Sequence, residues 1–218
     1  MEQLLYISEA YQMGTVGYDE IITEDKNGNK ITQIWLEGEF SEAERKNKNG
    51  RYYTESLMRR ETAKLADQIR VRGGIGSALD HPMADPDDKA AIQAASIVKL
   101  DTCGALIKHM EMRGKKIYGK MVLLENDKGN TVKSMVRNGW KPGISSRGLG
   151  GKPTYESTLD AYIVPENEFS MVTYDMVSDP SSHNAILGAY FESQNRLLEH
   201  GMKYKRTMWD VVKSWEEK

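Results

Sequence analysis

A single cysteine, Cys103, leaves no partner for an intramolecular disulfide, so nothing staples this chain and a reducing, intracellular setting is expected. The opening MEQLLYISEA lacks the basic start and long apolar core of a secretory signal. No apolar run approaches the roughly 20 residues that a helix needs to cross a bilayer, so no membrane segment is expected. Neither sign of charge is in excess. Lys and Arg number 30 against 32 Asp and Glu, for a net charge of -2, which removes any global electrostatic case for nucleic acid as the main partner. Repeats and low-complexity tracts are also missing. What remains is 218 residues, enough for one large domain with a buried core.

The segment ITQIWLEGEF has strand character and sits between two Asn-Gly turn signals, in EDKNGNK and KNKNGR. TESLMRRETAKLADQIRVRGG reads as a helix, with Met58, Thr62, Leu65, Ala66 and Ile69 at helical spacing, Thr54 as cap and Gly73 as stop. ASIVKLDTCGALIKHMEMRGKKIYGKMVLLE reads as a hairpin turning near Arg113-Gly114. In NTVKSMVRNGWKPG a short helix is expected, with Asn130 or Thr131 as cap, Val132, Met135 and Val136 on one face, and Gly139 as stop. Two strands are expected around Pro165 and Asn167. Two further helices follow, within 183–200 and 206–215, the second with Met208, Val211, Val212 and Trp215 on one face. Strands dominate the middle and no regular βαβ alternation occurs, so the expected class is α+β: a mostly antiparallel sheet or barrel surrounded by helices.

The stretch GISSRGLGG, residues 143–151, sets two adjacent serines and an arginine among four glycines. Glycine-rich turns bring backbone close to another group, and hydroxyls beside them bind phosphate or act as nucleophiles. A tight connection with ordinary polar side chains explains the same letters. Phosphate binding is poorly supported, because the terminal Gly-Lys-Ser/Thr of a P-loop is missing and the stretch follows a helix instead of a strand.

A nucleophilic serine needs a base, and the base needs a group to orient it. His109 falls in an expected strand, His183 in the polar SDPSSHN turn and His200 in a charged segment. His81, in ALDHPMADPDD, differs because Pro82 biases it towards an extended conformation within a turn-rich loop. Asp80, Asp85, Asp87 and Asp88 raise a metal site as a rival, but no second histidine or cysteine falls at ligand spacing. In FSMVTYDMVSDP, strand alternation sets Asp175 on one side with Phe169, Met171, Thr173 and Val177. A carboxylate in such apolar company needs partners, and a histidine N–H is one. Asp179, just before Pro180, looks like a turn residue.

Taken in that order and at that spacing, LDHP, NGWKPGISSRGLG and DMVSDPS resemble the prohead core protein proteases of large tailed bacteriophages. The earlier GEFSEAERKNKNGRYY followed by a helix belongs to the same resemblance, which runs from about residue 31 to about residue 185. It implies a serine endopeptidase with a β-barrel ringed by helices, related in fold to the herpesvirus assembly proteases. It further implies action inside the immature capsid, in the host cytoplasm, on scaffold (core) proteins and the major capsid protein. No cofactor, metal or direct nucleic-acid role is implied, and a homo-oligomer is allowed.

By position, Ser145 matches the nucleophile, His81 the general base and Asp175 the third member, where the herpesvirus enzymes use a second histidine. Ser146 is the alternative nucleophile, which the residues alone do not separate from Ser145. Backbone N–H groups at Ser146 and Gly148 are expected to face the oxyanion, with Arg147 adding positive charge there or fixing the loop.

The resemblance also implies cleavage after Glu in a Leu/Ile-x-Glu context and self-trimming. Ile7-Ser8-Glu9 and Leu197-Leu198-Glu199 fit, giving a protease domain of residues 10–199 between propeptides 1–9 and 200–218. Leu123-Leu124-Glu125 fits as well, with protection inside a strand expected. Arg147, Arg51, Lys141 and Lys152 are the candidates for a Glu pocket. The basic, then amphipathic tail after Glu199 reads as a docking or inhibitory segment, or as a helix that packs on the domain. A non-catalytic capsid-core or scaffold protein is the main alternative function. An esterase is disfavoured, since no Gly-x-Ser-x-Gly elbow occurs.

Overall fold

The alternation in KITQIWLEGEFSE builds one long strand, β3 (Lys30–Glu42), with Ile34, Leu36 and Phe40 fully buried. The computed structural model describes residues 5–11, 17–24, 30–82 and 88–177. Strand β3 pairs antiparallel with β2 (Gly17–Glu24) on one side and with β7 (Lys116–Leu123) on the other. Beyond β7 come β6 (Cys103–Arg113) and β5 (Ile75–Ala78), completing a sheet of order β2-β3-β7-β6-β5.

A second sheet has the order β1-β8-β11, formed by β1 (Leu5–Tyr11), β8 (Gly143–Gly150) and β11 (Ser170–Val177). A third joins β4 (Arg51–Tyr52) and β9 (Thr154–Glu156) to the two sides of β10 (Ala161–Ile163). The α+β class with mostly antiparallel pairing holds; among the described residues, however, the strands make three open sheets and not the expected closed barrel. The physical reason lies where β5 meets β11. Thr173 Oγ1 donates to the Gly76 carbonyl at 2.7 Å and the Ala78 N–H donates to Asp175 Oδ1 at 3.0 Å. Side chains of β11 thus take up backbone groups that a continuous ladder would have paired, and the sheets are stitched without closing.

Helix α1 (Glu55–Arg72) forms as the sequence leads one to expect: Thr54 Oγ1 accepts the Leu57 N–H, and Gly73 ends the helix at φ 77, where a left-handed conformation favours glycine. Its inner face carries Leu57, Met58, Leu65 and Ile69. Glu61 is buried on that face as well. Its carboxylate accepts the Met171 N–H at 2.8 Å and is paired by Arg60 and Lys64, which fastens α1 to β11.

Three local expectations are corrected. Helix α3 (Asp127–Arg137) starts earlier than expected, with Asn126 accepting the Gly129 N–H as cap in place of Asn130 or Thr131, and Met135 on its outer side at 37% exposure. The first hairpin strand begins only at Cys103. Before it lie an unexpected helix α2 (Lys89–Ala95), capped by Asp88, and a 3-10 turn at Leu100–Thr102. Residues 143–150 are a strand, not a turn, because the register with β1 and β11 and near-complete burial override the poor strand propensity of glycine. The two expected helices within 183–200 and 206–215, together with Glu199, lie outside the described residues.

Candidate active site

Strand β8 places Ser145 and Arg147 two residues apart, hence on one face, and β11 runs antiparallel beside it with Asp175 directly opposite Ser145. His81 arrives from a third direction. After β5 the chain makes an isolated bridge from Leu79 to Met176, and Asp80 turns at φ 55 while its N–H donates to the Met176 carbonyl at 2.7 Å. Aspartate tolerates that left-handed conformation better than most residues do. The turn delivers His81 between the serine and the acid.

His81 Nδ1 lies 2.8 Å from Asp175 Oδ2, and His81 Nε2 lies 2.5 Å from Ser145 Oγ. A carboxylate accepts only, so Nδ1–H donates to Asp175 and the lone pair of Nε2 faces the Ser145 hydroxyl. In that arrangement the imidazole can accept the serine proton. Ser145 and Asp175 have no exposed surface, and the His81 ring is 1% exposed.

An ionised carboxylate at full burial would cost several kcal/mol without compensation. Asp175 is compensated from several sides. Oδ1 accepts from the Ala78 N–H and from Arg147 Nη2 at 3.1 Å. Arg147 Nε sits 2.8 Å from Oδ2 as an ion-pair contact without hydrogen-bond alignment, beside the His81 bond. The opposite end of the guanidinium donates from Nη1 to the Ala95 carbonyl at 2.9 Å, at the end of α2. The acid therefore carries its own counter-ion.

Cys103 lies close enough to feel both charges. Burial holds its thiol above the ordinary range, and the negative charge of Asp175 pushes in the same direction. Sγ donates to the Lys99 carbonyl at 3.3 Å. A thiol kept protonated is no rival to the serine as nucleophile.

The structure thus brings Ser145, His81 and Asp175 together, and joins Arg147 to them on the acid side. The guanidinium of Arg147 is taken up by Asp175 and the Ala95 carbonyl. Of the two roles expected for it, fixing the local structure matches its contacts. Gly148 is also required by packing, because a Cβ there would stand 2.7 Å from Phe169 Cζ and 3.0 Å from the Ser170 carbonyl oxygen. Ser146 is buried on β8, opposite Tyr174.

Among the Glu-pocket candidates, Arg51 belongs to the separate β4-β10-β9 sheet, and Lys141 and Lys152 are exposed just before and after β8. Glu125 is not protected in a strand: it follows β7 on the surface and pairs with Lys133. His109 is exposed on β6 beside Glu111.

Sequence reasoning missed two elements of the site. One is the pairing of Arg147 with Asp175, for which the only signal was an acid in apolar company and, elsewhere in the chain, an arginine of unknown partner. The other is α2, hidden because Lys89–Ala95 is too short to show a helical periodicity, although its alanines and the Asp88 cap were signals for it.

Residues 15–195 match the family described as prohead core protein serine protease. The chain is 30% identical over 156 residues to the prohead core protein protease of Enterobacteria phage T4, covering 70% of this chain. It spans 66% of that relative's length. The solved structure of the bacteriophage T4 capsid assembly protease is similar in fold, with a TM-score of 0.64 at 23% identity, and the match covers 82% of this chain and 99% of that one.

Proposed function

This chain belongs to the prohead core protein serine protease family, and from that premise we propose that it is a serine endopeptidase with Ser145 as nucleophile, His81 as general base and Asp175 as orienting acid. The observation that carries the reading is the hydrogen-bonded line from Ser145 Oγ through both ring nitrogens of His81 to Asp175. His81 takes the Ser145 proton as Oγ attacks a peptide carbonyl, then gives it to the leaving amine; water enters by the same route and releases the acyl group. Asp175 holds the imidazole in the tautomer that leaves Nε2 free and stabilises the imidazolium. Arg147 acts through Asp175 as a positioning residue. The peptide N–H groups of Ser146 and Gly148 are the proposed oxyanion donors.

The proposed substrates are scaffold (core) proteins and the major capsid protein inside the immature phage prohead, in the host cytoplasm, cut after Glu in Leu/Ile-x-Glu sites. Self-processing after Glu9 and Glu199 would leave residues 10–199. The second reading, a non-catalytic core or scaffold protein, puts no requirement on Nε2 facing Ser145 Oγ. Incubating the wild-type chain and Ser145→Ala with a Leu-x-Glu peptide, and following products by mass spectrometry, separates the two. Cleavage after Glu by the wild type alone is expected. Equal cutting by both proteins would move the nucleophile to Ser146; no cutting by either would leave a restrained precursor or the scaffold reading, which the chain trimmed to residues 10–199 decides by cutting or not.

A further inference from the structure

Residues 145, 147 and 149 of β8 alternate onto one face, so Leu149 extends the line of Ser145 and Arg147 along the strand. Helix α2 covers the far part of that line. Its Ala95 carbonyl accepts from the Arg147 guanidinium at 2.9 Å, and the buried Ile92 and Ala95 pack with the half-buried Leu149. These three side chains form a small apolar cluster apart from the main core. The triad makes no use of it.

The place of this cluster relative to a bond being cut follows from the ladder. Helix α2 also touches β1, the strand paired with the second edge of β8. In that pairing the peptide unit between Glu9 and Ala10 lies opposite the unit between Ser145 and Ser146, the level a bond must take for Ser145 Oγ to attack it. Counting back from there, Ser8 stands opposite Arg147, Ile7 opposite Gly148 and Tyr6 opposite Leu149. Directly opposed residues of two paired strands set their side chains on the same face. An extended peptide held in this register therefore puts the fourth residue before the cut on the α2 side, level with Leu149, while the third and the first fall on the other face.

Resting on the protease reading above, we propose that Ile92, Ala95 and Leu149 form an apolar subsite that selects the fourth residue before the cut in protein substrates, taking an aliphatic or aromatic side chain and rejecting a charged one. When a peptide adds to a sheet edge, main-chain hydrogen bonds give affinity without reading sequence, and the selectivity comes from what alternate side chains meet. Here they meet a helix wall. An apolar side chain loses water against Ile92 and Leu149, whereas a carboxylate would have to leave water for carbon, and the Arg147 guanidinium alongside is already held by Asp175.

The test gives the full chain two peptides in one tube, identical in a Leu-x-Glu site and differing only in the residue before the leucine, tyrosine in one and aspartate in the other. Products are counted by mass spectrometry. Competition reports the ratio of the two kcat/KM values, whatever fraction of the enzyme is active. The tyrosine peptide is expected to win by about tenfold or more. Leu149→Lys should reverse the order, which a loss of stability cannot do because it slows both peptides alike. Ile92→Ala, the milder change if Leu149→Lys fails to fold, should shrink the ratio severalfold. A wild-type ratio near one, or variants that fold and keep the wild-type ratio, would overturn the subsite while leaving the protease reading intact. A tyrosine preference at the fifth position before the cut and not at the fourth would do the same, since another register would then hold. Cutting of neither peptide, by the full chain or by the chain trimmed to residues 10–199, would bring down the protease reading and this inference with it.

Discussion

Replacing Asp175 by asparagine removes one charge while keeping the side chain's shape, and the contacts of the native acid allow two separate consequences to be worked out. The new side chain can still accept from the Ala78 N–H with its carbonyl oxygen, as Oδ1 does now. Its amide group then faces His81 Nδ1, where Oδ2 now stands at 2.8 Å. An amide N–H donates, so Nδ1 must become the acceptor and the ring proton moves to Nε2. In that tautomer Nε2 donates to Ser145 Oγ and can no longer take its proton. The expected loss in kcat is about four orders of magnitude, or about 5.5 kcal/mol of barrier.

The second consequence is structural. Arg147, 1% exposed, loses its carboxylate, and removing one partner of a buried ion pair costs about 3–5 kcal/mol. For a chain of this size that lowers Tm by about 6–20 °C. Combining Asp175→Asn with Arg147→Met removes the stranded charge, so it should recover much of the Tm and none of the kcat. The assay is peptide cleavage at a temperature below every variant's unfolding, next to thermal unfolding followed by circular dichroism. An Asp175→Asn protein that stays folded and keeps kcat within about tenfold of the wild type would refute the assigned tautomer and, with it, the role of the acid.

Gly148→Ala should lower stability by about 1–3 kcal/mol in urea unfolding, because the new Cβ has to displace the Phe169 ring, itself packed against Tyr53 with ring centroids 5.5 Å apart. An unchanged midpoint would show that the ring yields freely. Tyr174→Phe should cost about 1–3 kcal/mol, since the phenol and the buried Ser41 hydroxyl meet at 2.6 Å. Adding Ser41→Ala to Tyr174→Phe should return part of that loss, and a double variant no more stable than Tyr174→Phe would count against the bond as its source.

Much of the site was legible because its members sit in locally distinctive surroundings. His81 stands before a proline in a turn-rich loop, and Asp175 is a charge in an apolar alternation. Ser145 was harder, as adjacent hydroxyls are equivalent until a strand turns one to each face; the pairing of β8 with β11 breaks that tie. Helix α1 was readable at both ends from Thr54 and Gly73. Strand β8 was misread because its glycines argue for a turn on local grounds, and only burial between two neighbouring strands outweighs them. The role of Arg147 was illegible, since nothing local tells a surface arginine from one folded back onto a buried acid. The barrel expectation failed for a similar reason: whether two edges close into a ladder is decided by side chains such as Thr173, far along the chain from the backbone they engage.

Strand β11 supports every member of the site at once. It carries Asp175, pairs with the serine's strand, and holds the histidine's loop through the Leu79–Met176 bridge and the Asp80 bond to the Met176 carbonyl. Opening of β11 would therefore release all three members together. The opening free energy of residues 173–177 thus sets an upper limit on how stably the complete site is held, so the order of a single strand bears on all three members.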